Sequence, residues 1–259
     1  MRTVDILHSA KRIVVKVGSS SITGGNEPHL ALIVDFAVEL KKLGKEVVIV
    51  SSGAIATAAP LMGLTVRSDD LPTSQALASI GQAKLMGRYE AALSKHDLLP
   101  GQILLTVENL DQEKSSINAL KAIERLLEVG VVPVINENDS VATHEIRFGD
   151  NDQLAARVAA LTSSDLMVLL SDIDGLYTKP PQEQGAEHVA VVKFGDPLNS
   201  IEVSGTSTGY GTGGALTKLA AARLATSDGV GVMLTATANV TELLAGDCKF
   251  TWFEPNTRD

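Results

Sequence analysis

Short apolar runs separated by segments of helical spacing recur from one end of this chain to the other. That alternation restricts the fold more than any other feature. Lys11–Val17, Glu46–Val50, Ile103–Thr106, Val131–Ile135, Leu166–Leu170 and the late run Val230–Leu234 read as strands. Most are apolar on consecutive residues rather than on every second one, as expected of strands covered on both faces. Leu30–Leu43 has helical spacing and stops at Gly44, a natural C-cap. Ser116–Val129 sets Leu120, Ile123, Leu126 and Leu127 on one face and stops at Gly130. Asn151–Leu161, Ala215–Ala225 and Val240–Leu244 complete the helical reading. Strands alternating with helices imply βαβ units, so an α/β fold around a mostly parallel sheet is expected.

Composition narrows the function. With 259 residues, 44% of them hydrophobic, the chain can bury a large core and fits one large α/β domain or two small ones. The net charge is −9, the pI is near 5.1 and no basic run exceeds Lys41-Lys42, which argues against nucleic acid and against an anionic membrane surface. An aromatic content of 3% leaves little for stacking on bases. Cys248 is the lone cysteine, so an internal disulfide is impossible and a reducing compartment fits. Met1–Arg12 lacks the apolar stretch of a signal peptide, and no apolar run is long enough to span a bilayer. A cytoplasmic location is the expectation. The one linker-like piece, Lys179–Glu187, is too short to divide the chain by itself.

Polar residues gather where the apolar runs end. Asn136, Glu137, Asn138 and Asp139 follow Val131–Ile135, and Asp150, Asn151 and Asp152 come shortly after. Ligands of open α/β sheets bind beyond the carboxyl ends of strands, and Asn and Asp there suit a small ligand carrying an ammonium group. An Asx-rich turn is the plain alternative. A small hairpin over Ala142–Arg147 is expected to project from this loop. Lys16 sits inside an apolar strand ahead of Gly18-Ser19-Ser20-Ser21, where an unpaired ammonium would be costly. It needs an anionic partner, unless it snorkels at the sheet's end. Ser51-Ser52-Gly53 leads from a strand towards a helix whose first amides could bind a carboxylate or phosphate, or simply carry a serine cap. The glycine-rich run Ser204–Gly214 precedes Thr217-Lys218 on a helix and could fold amides around phosphates, or serve as a surface linker. It is neither a Walker P-loop nor a dinucleotide fingerprint. Ser171-Asp172 follows another buried strand and could contact a nucleotide, or the Asp174-Gly175 that follows could merely make a turn. The histidines are scattered without zinc spacing, and Cys248 has no histidine near it in sequence, which sets aside metal-cluster and thiol chemistry.

Taken in order, these segments resemble the amino-acid kinase superfamily, and within it the glutamate 5-kinase (γ-glutamyl kinase) group. The resemblance rests on Val15-Lys16-Val17-Gly18-Ser19, Ser51-Ser52-Gly53-Ala54-Ile55-Ala56, Gly81-Gln82 and Val132 to Asp139. It continues through Gly149-Asp150-Asn151-Asp152, Asp174-Gly175-Leu176-Tyr177-Thr178 and Gly211 to Lys218. It implies a three-layer αβα sandwich and ATP-dependent phosphorylation of the γ-carboxylate of L-glutamate, the first step of proline synthesis. It also implies roles. Lys16 and Lys218 would flank the moving phosphoryl group, with Asp152 orienting them. Ser52, Asn136, Asp139, Asp150 and Asn151 would hold glutamate. Gly18, Ser171, Asp172, Thr212, Gly213, Gly214, Ala215, Leu216, Thr217 and Lys218 would line the ATP site, with Mg²⁺ carried on the phosphates. Residues 1–162 would form the glutamate-binding half and 163–259 the ATP-binding half, without the C-terminal PUA domain that many relatives append. Proline as feedback inhibitor through the segment containing Glu145, a homo-oligomer and a downstream glutamyl-phosphate reductase follow from the same resemblance. Two departures stand out: Ala215 replaces a usual Met and Ser51 a common Thr. Acetylglutamate, aspartate, carbamate or UMP as acceptor, or an amino-acid sensor of the same fold, are the competing readings. Ser51–Pro60 carries no arginine to grip a nucleoside monophosphate.

Overall fold

The structure is a computed structural model that describes residues 2–65, 70–142, 150–198, 214–246 and 248–257, with the Asp150 side chain left aside. Its strands are β1 (Arg12–Val17), β2 (Glu46–Ser51), β3 (Pro100–Leu105), β4 (Val132–Glu137), β5 (Leu166–Ser171), β6 (Leu176–Tyr177), β7 (His188–Val189), β8 (Val191–Val192), β9 (Gly231–Ala236) and β10 (Thr251–Phe253). The helices are α1 (Thr3–Ser9), α2 (Ser19–Ile22), α3 (His29–Lys42), α4 (Ala54–Met62), α5 (Leu71–Leu93), α6 (Val107–Asp111), α7 (Glu113–Glu128), α8 (Asp150–Leu161), α9 (Ala215–Ser227) and α10 (Val240–Leu243). Eight strands form one sheet in the order β3-β4-β2-β1-β5-β9-β10-β8, while β6 and β7 pair separately. From β3 through β9 every neighbouring pair is parallel; β10 runs antiparallel to β9. All strands of the central block therefore end on one edge, as the alternating pattern of the sequence requires.

The pleat sorts side chains into two cores. Ile13, Val15 and Val17 of β1 join Val47 and Ile49 of β2 and Val132 and Val134 of β4 beneath α1, α3, α5 and α10. Val14, Val48, Val50, Ile135, Met167 and Leu169 point the other way, into the core under α7, α8 and α9. A sheet between two helical layers is the expected αβα sandwich. Because the side-chain period is two, parity along a strand decides which layer each residue meets at the strand's end. Lys16 shares the parity of Val14 and faces α8 and α9. Ser51 shares the parity of Ile49, and Asn136 that of Val134, so both face α5.

The strands and helices expected from the pattern are present, with instructive shifts. β4 runs on through Asn136 and Glu137, which pair with Leu104 and Leu105 of β3. These two residues belong to the strand and not to the following loop. β3 begins earlier than its apolar run, at Pro100. α5 was not expected at all, although it has 23 residues. Asp70 caps its start by accepting the Thr73 amide at 3.1 Å, with Pro72 in the first turn. Its first half packs on α4 through Leu77, against Ala58 and Ala59, while Leu85, Tyr89, Ala92 and Leu93 enter the sheet core. One helix serving two surfaces shows no single apolar stripe, which is why periodicity missed it. The hairpin expected over Ala142–Arg147 lies outside the described residues beyond Ala142. Among the described residues no helix is long and apolar enough to cross a membrane.

α4 and α5 approach so closely that a Cβ on Gly81 would sit 1.8 Å from the Ala54 carbonyl oxygen. Backbone cannot step aside as a flexible side chain can. Gly81→Ala is therefore expected to destabilise the fold by about 1–3 kcal/mol or more, as overpacking does, read as a lower denaturant midpoint with the m-value unchanged.

Candidate active site

The carboxyl edge of the sheet collects the polar residues singled out from the sequence. From β1, Lys16 reaches towards Asp152 in the first turn of α8, and the two form an ion pair through Nζ and Oδ1. Lys218, in the first turns of α9, lies 3.7 Å from Asp152 Oδ2. Thr217 donates its hydroxyl to the same oxygen at 3.0 Å. Asp152 is 0% exposed, Lys16 5% and Lys218 8%, so the three charges are removed from water. Burial alone would push the Asp152 carboxyl up, yet the Lys16 and Lys218 ammonium groups, with bonds from Lys16 and Thr217, hold it below the usual carboxylate range. Burial also pulls Lys218 below the usual lysine range; Asp152 opposes this, Lys16 adds to it and Asp172 opposes it. Two lysines from distant parts of the chain converge on one carboxylate at the strand ends, in a chain of net charge −9.

Gly18 follows Lys16 at the strand's end in ordinary extended backbone, with φ −76°. A Cβ there would lie 3.7 Å from Lys16 Nζ, so the glycine runs alongside the ammonium. Ser171 closes β5, donates to Asp172 Oδ1 at 2.9 Å, and its carbonyl accepts Thr237 Oγ1 at 3.0 Å. Thr237 also bonds Ser21 Oγ at 2.8 Å, joining the turn after β1 to the end of β5. Sequence reading had no signal for Thr237: a threonine in a polar turn is unremarkable until its partners are seen. Gly214 precedes α9, and its carbonyl accepts the Thr217 amide at 3.1 Å. Ala215 and Leu216 form the outer first turn, with Leu216 exposed. Thr212, Gly213 and the Asp150 side chain lie outside the described residues.

Between α5 and the ends of β3 and β4 lies a cavity of about 320 Å³. Gln82, Gln102, Glu137, Asn138, Asp139 and Ser140 supply its polar wall, with Ala54 and Ala78 below. Asn136 donates from Nδ2 to Gln82 Oε1 at 2.8 Å. The Glu137 amide is shared by Asn136 Oδ1 at 2.9 Å and Asn151 Oδ1 at 3.2 Å. Asn151 thus ties this wall to its neighbour Asp152. Ser52 leads into Gly53, whose φ of +108° turns the chain sharply into α4. A non-glycine residue would be strained there. Gln82 was quoted from the sequence without a role, and Gln102 and Glu137 had none either. Their place becomes visible only when α5, β3 and β4 come together. Among the described residues no cluster of three or more His, Cys, Asp or Glu is arranged to hold a metal ion.

With fold and geometry established, comparisons with known proteins place the chain. The amino acid kinase family model matches residues 11–235. The chain belongs to the amino acid kinase family. A relative in Clavibacter michiganensis subsp. michiganensis, named glutamate 5-kinase, is 54% identical over 95% of both chains. Another of that name in Leifsonia xyli subsp. xyli is 52% identical over 96% of this chain and 93% of its own. One in Salinispora arenicola is 46% identical, and this chain covers 70% of it. Among solved structures, the carbamate kinase of Giardia lamblia bound to AMP-PNP superposes with a TM-score of 0.67 at 13% identity, covering 96% of this chain and all of that one. The fold is shared although the sequence has diverged.

The electrostatics of the lysine pair can be tested directly. Lys218 observed by NMR is expected to titrate below the ordinary lysine value of 10.5. Asp152→Asn, which removes the charge that raises it, should move the transition lower still. An ordinary or higher value in either protein would contradict the arrangement described.

Proposed function

We propose that this chain transfers the γ-phosphoryl group of ATP to the γ-carboxylate of L-glutamate, giving γ-glutamyl phosphate for proline biosynthesis. The observation that carries this reading is Asp152 held between Lys16 and Lys218 at the carboxyl edge of the sheet. Phosphoryl transfer asks little covalent work of a protein; it needs two anions brought in line and the charge on the equatorial oxygens neutralised. Lys16 and Lys218 do the neutralising, and Asp152 keeps both aimed. The acceptor carboxylate is already ionised at neutral pH, so no general base is required. Its oxygen forms the new bond to phosphorus as the bond to the ADP oxygen breaks, and no proton changes place. Mg²⁺ adds further neutralisation when bound; the Asp152 carboxylate is already committed to lysines, which suits a cation held by the nucleotide's phosphates.

Ser52, Asn136, Asp139, Asp150 and Asn151 hold glutamate in this reading. The polar cavity with Glu137 and Asp139 in its wall suits an α-ammonium group. Gly18, Ser171, Asp172 and the run Thr212 to Lys218 line the nucleotide site. Residues 1–162 then carry the acceptor and 163–259 the nucleotide. Identity of 54% to a relative named glutamate 5-kinase favours glutamate over acetylglutamate, aspartate, carbamate and UMP, and a sensor would have no use for a buried lysine pair. Proline inhibition, a homo-oligomer, a cytoplasmic location and a reductase that takes up the labile acyl phosphate belong to the same proposal.

An ADP-release assay across glutamate, aspartate, acetylglutamate, carbamate and UMP tests it. Turnover should be confined to glutamate and fall as proline is added; preference for another acceptor would overturn the reading. Lys16→Ala and Lys218→Ala should each lower turnover roughly 10²–10³-fold, as loss of an electrostatic stabiliser does. Near-normal turnover of Lys218→Ala would remove it from the mechanism.

A further inference from the structure

We propose that Tyr89 is a positioning residue of the acceptor site, setting the Ser52–Gly53 turn through the hydroxyl of Ser51. This rests on the acceptor site proposed above. Tyr89 lies on α5 among the largest fully buried side chains of the molecule. Burial pushes its phenol up to about 12, although the Ser51 bond and Arg88 work against this, so it remains a neutral donor across the working range. It donates to Ser51 Oγ at 2.9 Å. Ser51 in turn donates to the Ser52 carbonyl at 3.0 Å. The chain runs one way, from the core into the turn, and each bond polarises the next.

The turn is held at both ends of the Ser52 residue. Its carbonyl accepts Ser51, and its amide donates to the Val17 carbonyl at 2.9 Å. Gly53 then turns at φ +108°, and Ala54 meets α5 again at Gly81. The same helix lines the cavity through Ala78 and Gln82, and Gln82 also accepts from Asn136 of β4. One helix therefore borders the cavity and also meets the turn between β2 and α4, whose Ala54 lines it too. A phenylalanine would fill the Tyr89 site equally well, so the hydroxyl is superfluous to apolar packing. What it adds is a fixed orientation where β2 leaves the sheet. The nucleotide-side residues Ser171, Thr237 and Gly214 have no part in this chain of bonds.

The test compares wild type with Tyr89→Phe, Ser51→Ala and Ser51→Thr, measuring the KM of each substrate, kcat and thermal stability. Tyr89→Phe and Ser51→Ala should raise the KM for glutamate about three- to tenfold and leave that for ATP within about twofold, the effect of losing one hydrogen bond. Ser51→Thr restores the hydroxyl and should recover the glutamate KM. A merely structural tyrosine would lower stability without separating the two KM values. Unchanged glutamate KM in folded Tyr89→Phe, equal shifts in both KM values, or no recovery in Ser51→Thr relative to Ser51→Ala would each overturn the proposal. Should Tyr89→Phe fail to fold, the two Ser51 variants decide. If wild type uses another acceptor of the panel, the glutamate assignment fails separately and the same KM comparison is made on that acceptor. If it uses none, both readings fall.

Discussion

One buried carboxylate between two lysines is the constraint around which this molecule is arranged. Asp152 has no exposure, and both its oxygens are engaged by groups from other parts of the chain, Lys16 on β1 and Lys218 and Thr217 on α9. Removing one member of such a buried arrangement leaves an uncompensated charge, typically at a cost of about 3–5 kcal/mol. The bridge is therefore more than a catalytic device. It ties the first strand to two helices from the second half of the chain.

The sheet explains how so many distant residues converge. Six parallel strands end on the same edge, and the two-residue period sends alternate side chains to opposite layers. Lys16 meets α8 and α9 on one face. Ser51 and Asn136 meet α5 on the other, where they bond Tyr89 and Gln82. The lysine bridge and the polar cavity thus draw on different layers, and the shared strand ends are the seam between them. Asn151, bonded to the Glu137 amide and adjacent to Asp152, crosses that seam.

Legibility in the sequence followed the physics of each element. β1, α3 and α7 were readable because each shows one environment: a run buried on both faces, or a single apolar stripe with a glycine at its end. Lys16 stood out because a charge inside an apolar strand needs a reason. Spacing alone could not point to its partner, since Asp152 lies far along the chain and only the helix over the strand brings them together; the family resemblance supplied it. α5 was hidden because its residues answer to α4 in one half and to the sheet in the other. β4 was read too short, because its last residues, Asn136 and Glu137, are polar although still in the ladder. Gln82 and Tyr89 were silent for a related reason. On a helix whose pattern is blurred, a glutamine reads as surface and a tyrosine as core.

The division between layers carries a consequence for how such a scaffold can diverge. A tilt or slide of α5 relative to the sheet would reshape the polar cavity it lines through Ala78 and Gln82, while the lysine bridge under the opposite layer stayed in register. Novelty in what is phosphorylated can then accumulate without renegotiating how phosphate is handled.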